Sequence, residues 1–253
     1  MKNTLVCCLI ALAALPFTNI SVASEPNELS PVVLVTGANR GIGLELARQY
    51  GEAGWSVIGT ARKPDAAAEL KELGARVVQL DVTDATSVTQ LVTDLDGQPI
   101  DLLINNAGII SRNSSLASTD IETAGKILDV NVLGPMRVTQ ALLPNLSAGD
   151  RKTIVNISSG LGSLANNQSG GFYGYRESKA ALNMFTRSLA GNLSGEGFIV
   201  VAMNPGWVQT DMGGPNAAIT TEQSVNGIRD VIESLGPENS GTFRVYSGEE
   251  QAW

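Results

Sequence analysis

The chain has 253 residues, 43% of them hydrophobic and 17% charged, with a net charge of −8. That balance suits a globular protein with a large core and argues against nucleic acid as a partner. It holds no histidine, and its only cysteines, Cys7 and Cys8, lie near the start. This excludes His-based triads and metal sites and, past that leader, thiol chemistry, leaving Ser, Tyr, Lys, Asn, carboxylates or a bound cofactor.

Residues 1–24 read as a secretory leader. Lys2 gives a positive start, Leu5–Leu15 an apolar run, and Ser21–Ser24 small residues for cleavage. The run is too short for a stable transmembrane span, which needs about 20 apolar residues. Export to a periplasm or the medium is expected, or a cytoplasmic location if the start is misassigned or the leader unused. A polar linker at 25–30 follows, and residues 31–253 read as one domain.

Val32–Val35 is an apolar strand, followed by Thr36-Gly-Ala-Asn-Arg-Gly-Ile-Gly43 and a helix over Leu44–Tyr50. A glycine turn between strand and helix lets backbone N–H groups and the helix N-terminus approach a pyrophosphate. Trp55–Thr60 is the second strand. An NAD site wants a carboxylate near its end; here Arg62 and Lys63 follow, with no acid before Asp65, and Arg40 stands in the glycine turn. Two guanidinium groups suit a 2′-phosphate, so NADP(H) is expected over NAD(H).

The alternation continues with a helix over 66–73, a strand over 75–80, and a helix over 84–95 capped by Asp84. A strand over 100–104 ends in Asn105-Asn-Ala-Gly108. Thr119 and Glu122 form a capping box for a long helix to Leu146, which carries Asn131 and is expected to kink at Gly134-Pro135. A strand over 153–157 runs into Ser158 and Ser159, then a Gly/Ser/Asn-rich loop. A helix bearing Tyr175 follows, then a strand over 198–203, a long loop from Asn204, a helix capped by Thr220 and Gln223, and a strand over 241–246. Repeated β-α-β units predict a Rossmann-type, doubly wound α/β domain: a mostly parallel seven-stranded sheet with helices on both faces.

Tyr175 and Lys179, four residues apart, share one helix face. An adjacent ammonium favours the phenolate and is expected to lower the phenol's pKa towards the range of efficient acid–base catalysis. Tyr173 is the competing phenol, but a helix would set it against the carboxylate of Glu177. Ser158 on an extended strand points away from Ser159.

In order and spacing, Thr36-Gly-x-x-x-Gly-x-Gly43, Asp81-Val82, Asn105-Asn-Ala-Gly108, Asn131, Ser159, Tyr175-x-x-x-Lys179 and Pro205-Gly206…Thr210 resemble the short-chain dehydrogenase/reductase family. Gly171-Phe-Tyr-Gly-Tyr-Arg-Glu-Ser-Lys179, Pro205-Gly-Trp-Val-Gln-Thr-Asp-Met-Gly-Gly214 and Trp253 are similar to its sniffer- and C-factor-like carbonyl reductases. The resemblance implies that Tyr175 is the acid/base, Lys179 tunes it and holds the nicotinamide ribose, Ser159 holds the substrate oxygen, and Asn131 positions a water. It also implies cofactor contacts from Gly37, Asn39, Arg40, Gly41, Ile42, Gly43, Arg62, Asp81, Val82, Asn105, Asn106, Ala107, Gly108, Tyr175, Lys179, Pro205, Gly206, Val208 and Thr210. The implied activity is NADPH-dependent reduction of a small carbonyl compound, or the reverse alcohol oxidation, and Leu161, Leu164, Trp207 and Met212 in the flanking loops suggest an apolar one. The alternative is a cofactor-binding signalling protein of C-factor type with little turnover. Relatives often pair through the long helices 119–146 and 173–193, implying a homodimer or homotetramer.

Overall fold

A computed structural model describes residues 30–253, so the leader and all but the last residue of the expected linker lie outside the described residues. One seven-stranded sheet forms, in the order β3-β2-β1-β4-β5-β6-β7, and all six pairings are parallel. The strands are β1 (Val32–Val35), β2 (Ser56–Ala61), β3 (Arg76–Gln79), β4 (Leu102–Asn105), β5 (Thr153–Ile157), β6 (Ile199–Asn204) and β7 (Phe243–Val245).

Side chains alternate faces along a strand, and here both faces are covered, so the strands are almost wholly apolar. In β1, Val33 and Val35 pack on one face against Leu46 and Tyr50 of α1 (Gly41–Glu52) and Ile228 of α7 (Thr221–Glu233). Leu34, between them, packs on the other face with Leu91 of α3 (Ala85–Leu95) and Leu142 of α5 (Gly134–Ser147). The remaining helices are α2 (Ala68–Glu72), α4 (Ile121–Leu128) and α6 (Tyr175–Leu193). Strand order reverses between β1 and β4, and a crevice at the carboxyl ends of the strands there is where doubly wound folds place ligands.

Two local expectations need correction. The cap of α4 is Asp120, whose carboxylate accepts the Glu122 N–H at 3.1 Å, not Thr119. Thr119 is engaged in a short turn instead, its hydroxyl donating to the Ser115 carbonyl at 2.9 Å. The expected long helix also breaks a turn early, as a π-turn over Asp129–Leu133 in which the Gly134 N–H reaches back to the Asp129 carbonyl. Pro135 has no N–H for the carbonyl four residues back, that of Asn131, so the ladder widens ahead of it.

Candidate active site

Two turns meet at the switch point. The Thr36 hydroxyl accepts the N–H groups of Asn106 and Ala107, each at 3.0 Å, and the Asn106 amide donates to the Thr36 and Gly37 carbonyls at 2.9 and 3.1 Å. Asn106 thus braces the glycine turn as well as bordering the crevice. Gly37 has φ +65°, and a Cβ on Gly43 would lie 2.4 Å from the Gly37 carbonyl oxygen. Only glycine leaves the backbone this open at the start of α1, where N–H groups converge on anionic ligands.

The crevice is a cavity of about 840 Å³. It is bordered by the glycine turn with Asn39, Arg40, Gly41 and Ile42, by Arg62, Asp81 and Val82, and by Ala107, Gly108, Pro205 and Thr210. Tyr175 and Lys179 border it from the other side. Asp81 is held below the usual carboxylate range by the hydroxyl and N–H of Thr83, with a smaller contribution from the Arg62 guanidinium. The size, the glycine cradle and the cations of Arg40 and Arg62 fit a phosphorylated dinucleotide.

Three of the expected cofactor contacts are not on the cavity wall. Asn105 is buried, and its amide donates to Thr139 at 3.1 Å and to Asn156 at 2.9 Å, tying β4 to β5 and α5. Val208 is buried and bridges to Ile219, while a Cβ on Gly206 would press on Ile219 and Tyr246. In a crossing strand end, alternate side chains must point into the core, and spacing alone does not say which.

Tyr175 is the first residue of α6. Gly174, at φ +83°, precedes it and donates its N–H to the Glu177 carboxylate at 2.6 Å. Tyr173 therefore lies outside the helix, and its expected i,i+4 pairing with Glu177 does not form. One turn on, the Lys179 ammonium donates to the Ile157 carbonyl at the end of β5 at 2.8 Å and stands 5.8 Å from the Tyr175 ring centre. Ser158 and Ser159 point apart: the Ser158 hydroxyl donates to Asn183 at 2.6 Å, while the Ser159 hydroxyl caps Leu161 and faces the Tyr175 phenol.

The electrostatics differ from the expectation. Burial pushes the Tyr175 phenol up from its ordinary value, and the Ser159 hydroxyl, which favours the phenolate, opposes this. Burial pushes Lys179 down to about 8. The ammonium is turned to a backbone carbonyl, so desolvation outweighs its attraction for the phenolate. The resting phenol is protonated.

Asn131, in the π-turn, is fully buried. Its Oδ1 accepts the Ile109 N–H at 2.9 Å, and its amide donates to the Ile109 carbonyl at 2.9 Å and the Ser178 hydroxyl at 3.0 Å. Its side chain is spent on this clamp. Ile109 and Ser178 were not singled out from sequence. A serine just before Lys179, on the helix side that meets Asn131, was the one available signal.

Among the described residues, no helix is long and apolar enough to cross a membrane. None of them form a group of three or more His, Cys, Asp or Glu suited to a metal.

The short chain dehydrogenase profile matches residues 31–219. C-signal from Myxococcus xanthus is 48% identical over 155 residues, covering 61% of this chain and 93% of that one. The NADPH-bound carbonyl reductase from chicken fatty liver superposes with a TM-score of 0.83 at 35% identity, over 88% of this chain and 99% of that one. The carbonyl reductase Sniffer of D. melanogaster superposes with a TM-score of 0.83 at 31% identity, over 89% and 100%.

Proposed function

The chain belongs to the short chain dehydrogenase family of oxidoreductases, and on that premise we propose that it is an NADPH-dependent carbonyl reductase. The observation that carries this reading is the convergence of Tyr175 and Lys179 on the glycine-cradled cavity, with Ser159 facing the phenol. NADPH, when bound, supplies a hydride. Ser159 holds the carbonyl oxygen by a hydrogen bond, and the Tyr175 O–H gives its proton to that oxygen as the carbon becomes sp³. The raised pKa suits this direction, because the phenol waits in its protonated form. The Lys179 ammonium then faces the phenolate, and a water at the Asn131 carbonyl returns the proton through Lys179. Arg40 and Arg62 would hold a 2′-phosphate.

Apolar side chains at the mouth favour an apolar carbonyl substrate: Met212 borders the cavity, and Trp207 and Leu164 are exposed on the flanking loops. Purified protein should consume NADPH with a panel of aliphatic and aromatic aldehydes and ketones. Tight NADPH binding with no turnover across that panel would instead support a signalling role, the reading favoured by the likeness to C-signal.

Two further parts of the proposal concern where and how the enzyme exists. Leu128, Leu133, Met136 and Met184 are exposed on the π-turn region and α6, favouring a homodimer or homotetramer, which light scattering would measure. Export through residues 1–24 predicts a processed N-terminus outside the cytosol; an intact one in the cytosolic fraction would refute it.

A further inference from the structure

Arg40 lies in the glycine turn as the residue before α1, with extended backbone (φ −166°) and no capping bond from its side chain. Its guanidinium reaches across the cavity mouth to Asp211, Nη1 to Oδ2, at 2.9 Å. The two side chains are 70% and 79% exposed, and both residues border the cavity. The loop holding Asp211 is tied to itself: the Gln209 N–H donates to the Ile219 carbonyl at 2.8 Å and the Trp207 indole to the Gly213 carbonyl at 2.9 Å. The carboxylate is therefore presented to Arg40 by an ordered loop.

An exposed pair of this kind is weakly held and readily exchanged. A 2′-phosphate offers the same guanidinium more negative charge and two oxygens for its forked N–H groups. We propose that Asp211 is a specificity-determining residue that competes with the cofactor 2′-phosphate for Arg40. It thereby lowers affinity for the phosphorylated cofactor and leaves the unphosphorylated one untouched. Arg62, which also borders the cavity and lies close enough to Asp81 to favour its carboxylate, remains as a second guanidinium when Arg40 is engaged. The preference for NADPH is then a difference between two anions at one guanidinium, with Asp211 setting its size.

This inference rests on the NADPH reading, and binding measurements separate the two. The full chain, its Asp211→Asn and Arg40→Gln variants and the double variant are titrated by calorimetry with NADPH and NADH. Adenosine 2′,5′-bisphosphate and 5′-AMP serve as probes lacking the nicotinamide. Asp211→Asn should tighten NADPH and the bisphosphate by about two- to fivefold, the scale of an exposed ion pair, and leave NADH and AMP unchanged. The gain should vanish in the Arg40→Gln background, as expected of two residues acting through one contact. Weaker NADPH binding by Asp211→Asn, or an equal shift for NADH, would overturn the proposal. Wild-type protein that binds NADPH no better than NADH would overturn the NADPH reading itself.

Discussion

Two tyrosines at opposite ends of the sheet share most of what is usually taken to mark a reactive phenol. Tyr50, near the amino ends of the strands, is 3% exposed, and Tyr175, at their carboxyl ends, is 7% exposed. Each has a cation over its ring, Arg229 at 5.2 Å for Tyr50 and Lys179 at 5.8 Å for Tyr175. Burial pushes both phenols up. Around Tyr50, however, the cations are engaged by other side chains: Arg151 pairs with Glu233 at 2.9 Å, and Arg229 donates to the Gln49 amide oxygen at 3.3 Å. That end borders a cavity of about 540 Å³ lined by the carboxyl end of α1 and by the later turns of α7, rather than by a helix N-terminus. Tyr175 and Lys179 instead border the glycine-cradled cavity, and the Ser159 hydroxyl faces the phenol. A perturbed phenol is thus available at either end, and the parallel sheet makes only one end able to hold a hydride donor beside it.

The comparison breaks most readily at the cations. Lys179→Met should lower turnover by roughly 10²–10⁴-fold, the scale of acid–base assistance, while Arg229→Met leaves it nearly unchanged. In the wild type, kcat/KM for reduction should fall about tenfold per pH unit above pH about 8, as free-enzyme Lys179 loses its proton. The stability effect has the opposite sign. Lys179 has its pKa lowered from 10.5 to about 8 by folding, so between those values the unfolded chain holds a proton that the folded chain has released. Stability from this group therefore rises with pH across that window, and urea midpoints in Lys179→Met should lack the rise.

The two adjacent serines sharpen the contrast within the active end. Ser159→Ala should cost about 10²-fold in kcat, as loss of one donor at a developing oxyanion does. Ser158→Ala should spare the rate and cost about 1–2 kcal/mol of stability, because it leaves the buried Asn183 Oδ1 without its donor. A further contrast lies within α1. Gly43→Ala forces a Cβ to 2.4 Å from the Gly37 oxygen and should cost about 1–3 kcal/mol, with loss of NADPH binding. Gly51→Ala meets nothing nearer than 3.9 Å and should stabilise by up to about 1 kcal/mol. Urea titration with a cofactor-binding assay reads both.

The fold was legible in the sequence because its signals are local. Val32–Val35 followed by Gly37, Gly41 and Gly43 specifies strand, turn and helix without reference to anything distant. The positions of Tyr175, Lys179 and Ser159 were equally legible, being fixed by their own helix and strand end. What could not be read depends on contacts across the chain. The amide of Asn105 turns to Thr139 and Asn156, and Asn131 clamps Ile109 across 22 residues of sequence. The π-turn forms where Gly134 packs against Val82, so the proline signal at 135 located the break only to within a turn. The pKa expectation failed for the same reason. Four-residue spacing puts an ammonium beside a phenol, but only the fold shows that both are buried and that the ammonium turns to Ile157.

The central claim is that Tyr175, and not burial plus a nearby cation, supplies the proton for carbonyl reduction. Single-turnover mixing of NADPH-loaded Tyr175→Phe and Tyr50→Phe proteins with a ketone turned over by the wild type tests it directly, with NADPH binding measured on the same samples. The account predicts wild-type NADPH affinity in both, a wild-type rate for Tyr50→Phe, and a rate lower by roughly 10²–10⁴-fold for Tyr175→Phe. An unaltered single-turnover rate in Tyr175→Phe would contradict it.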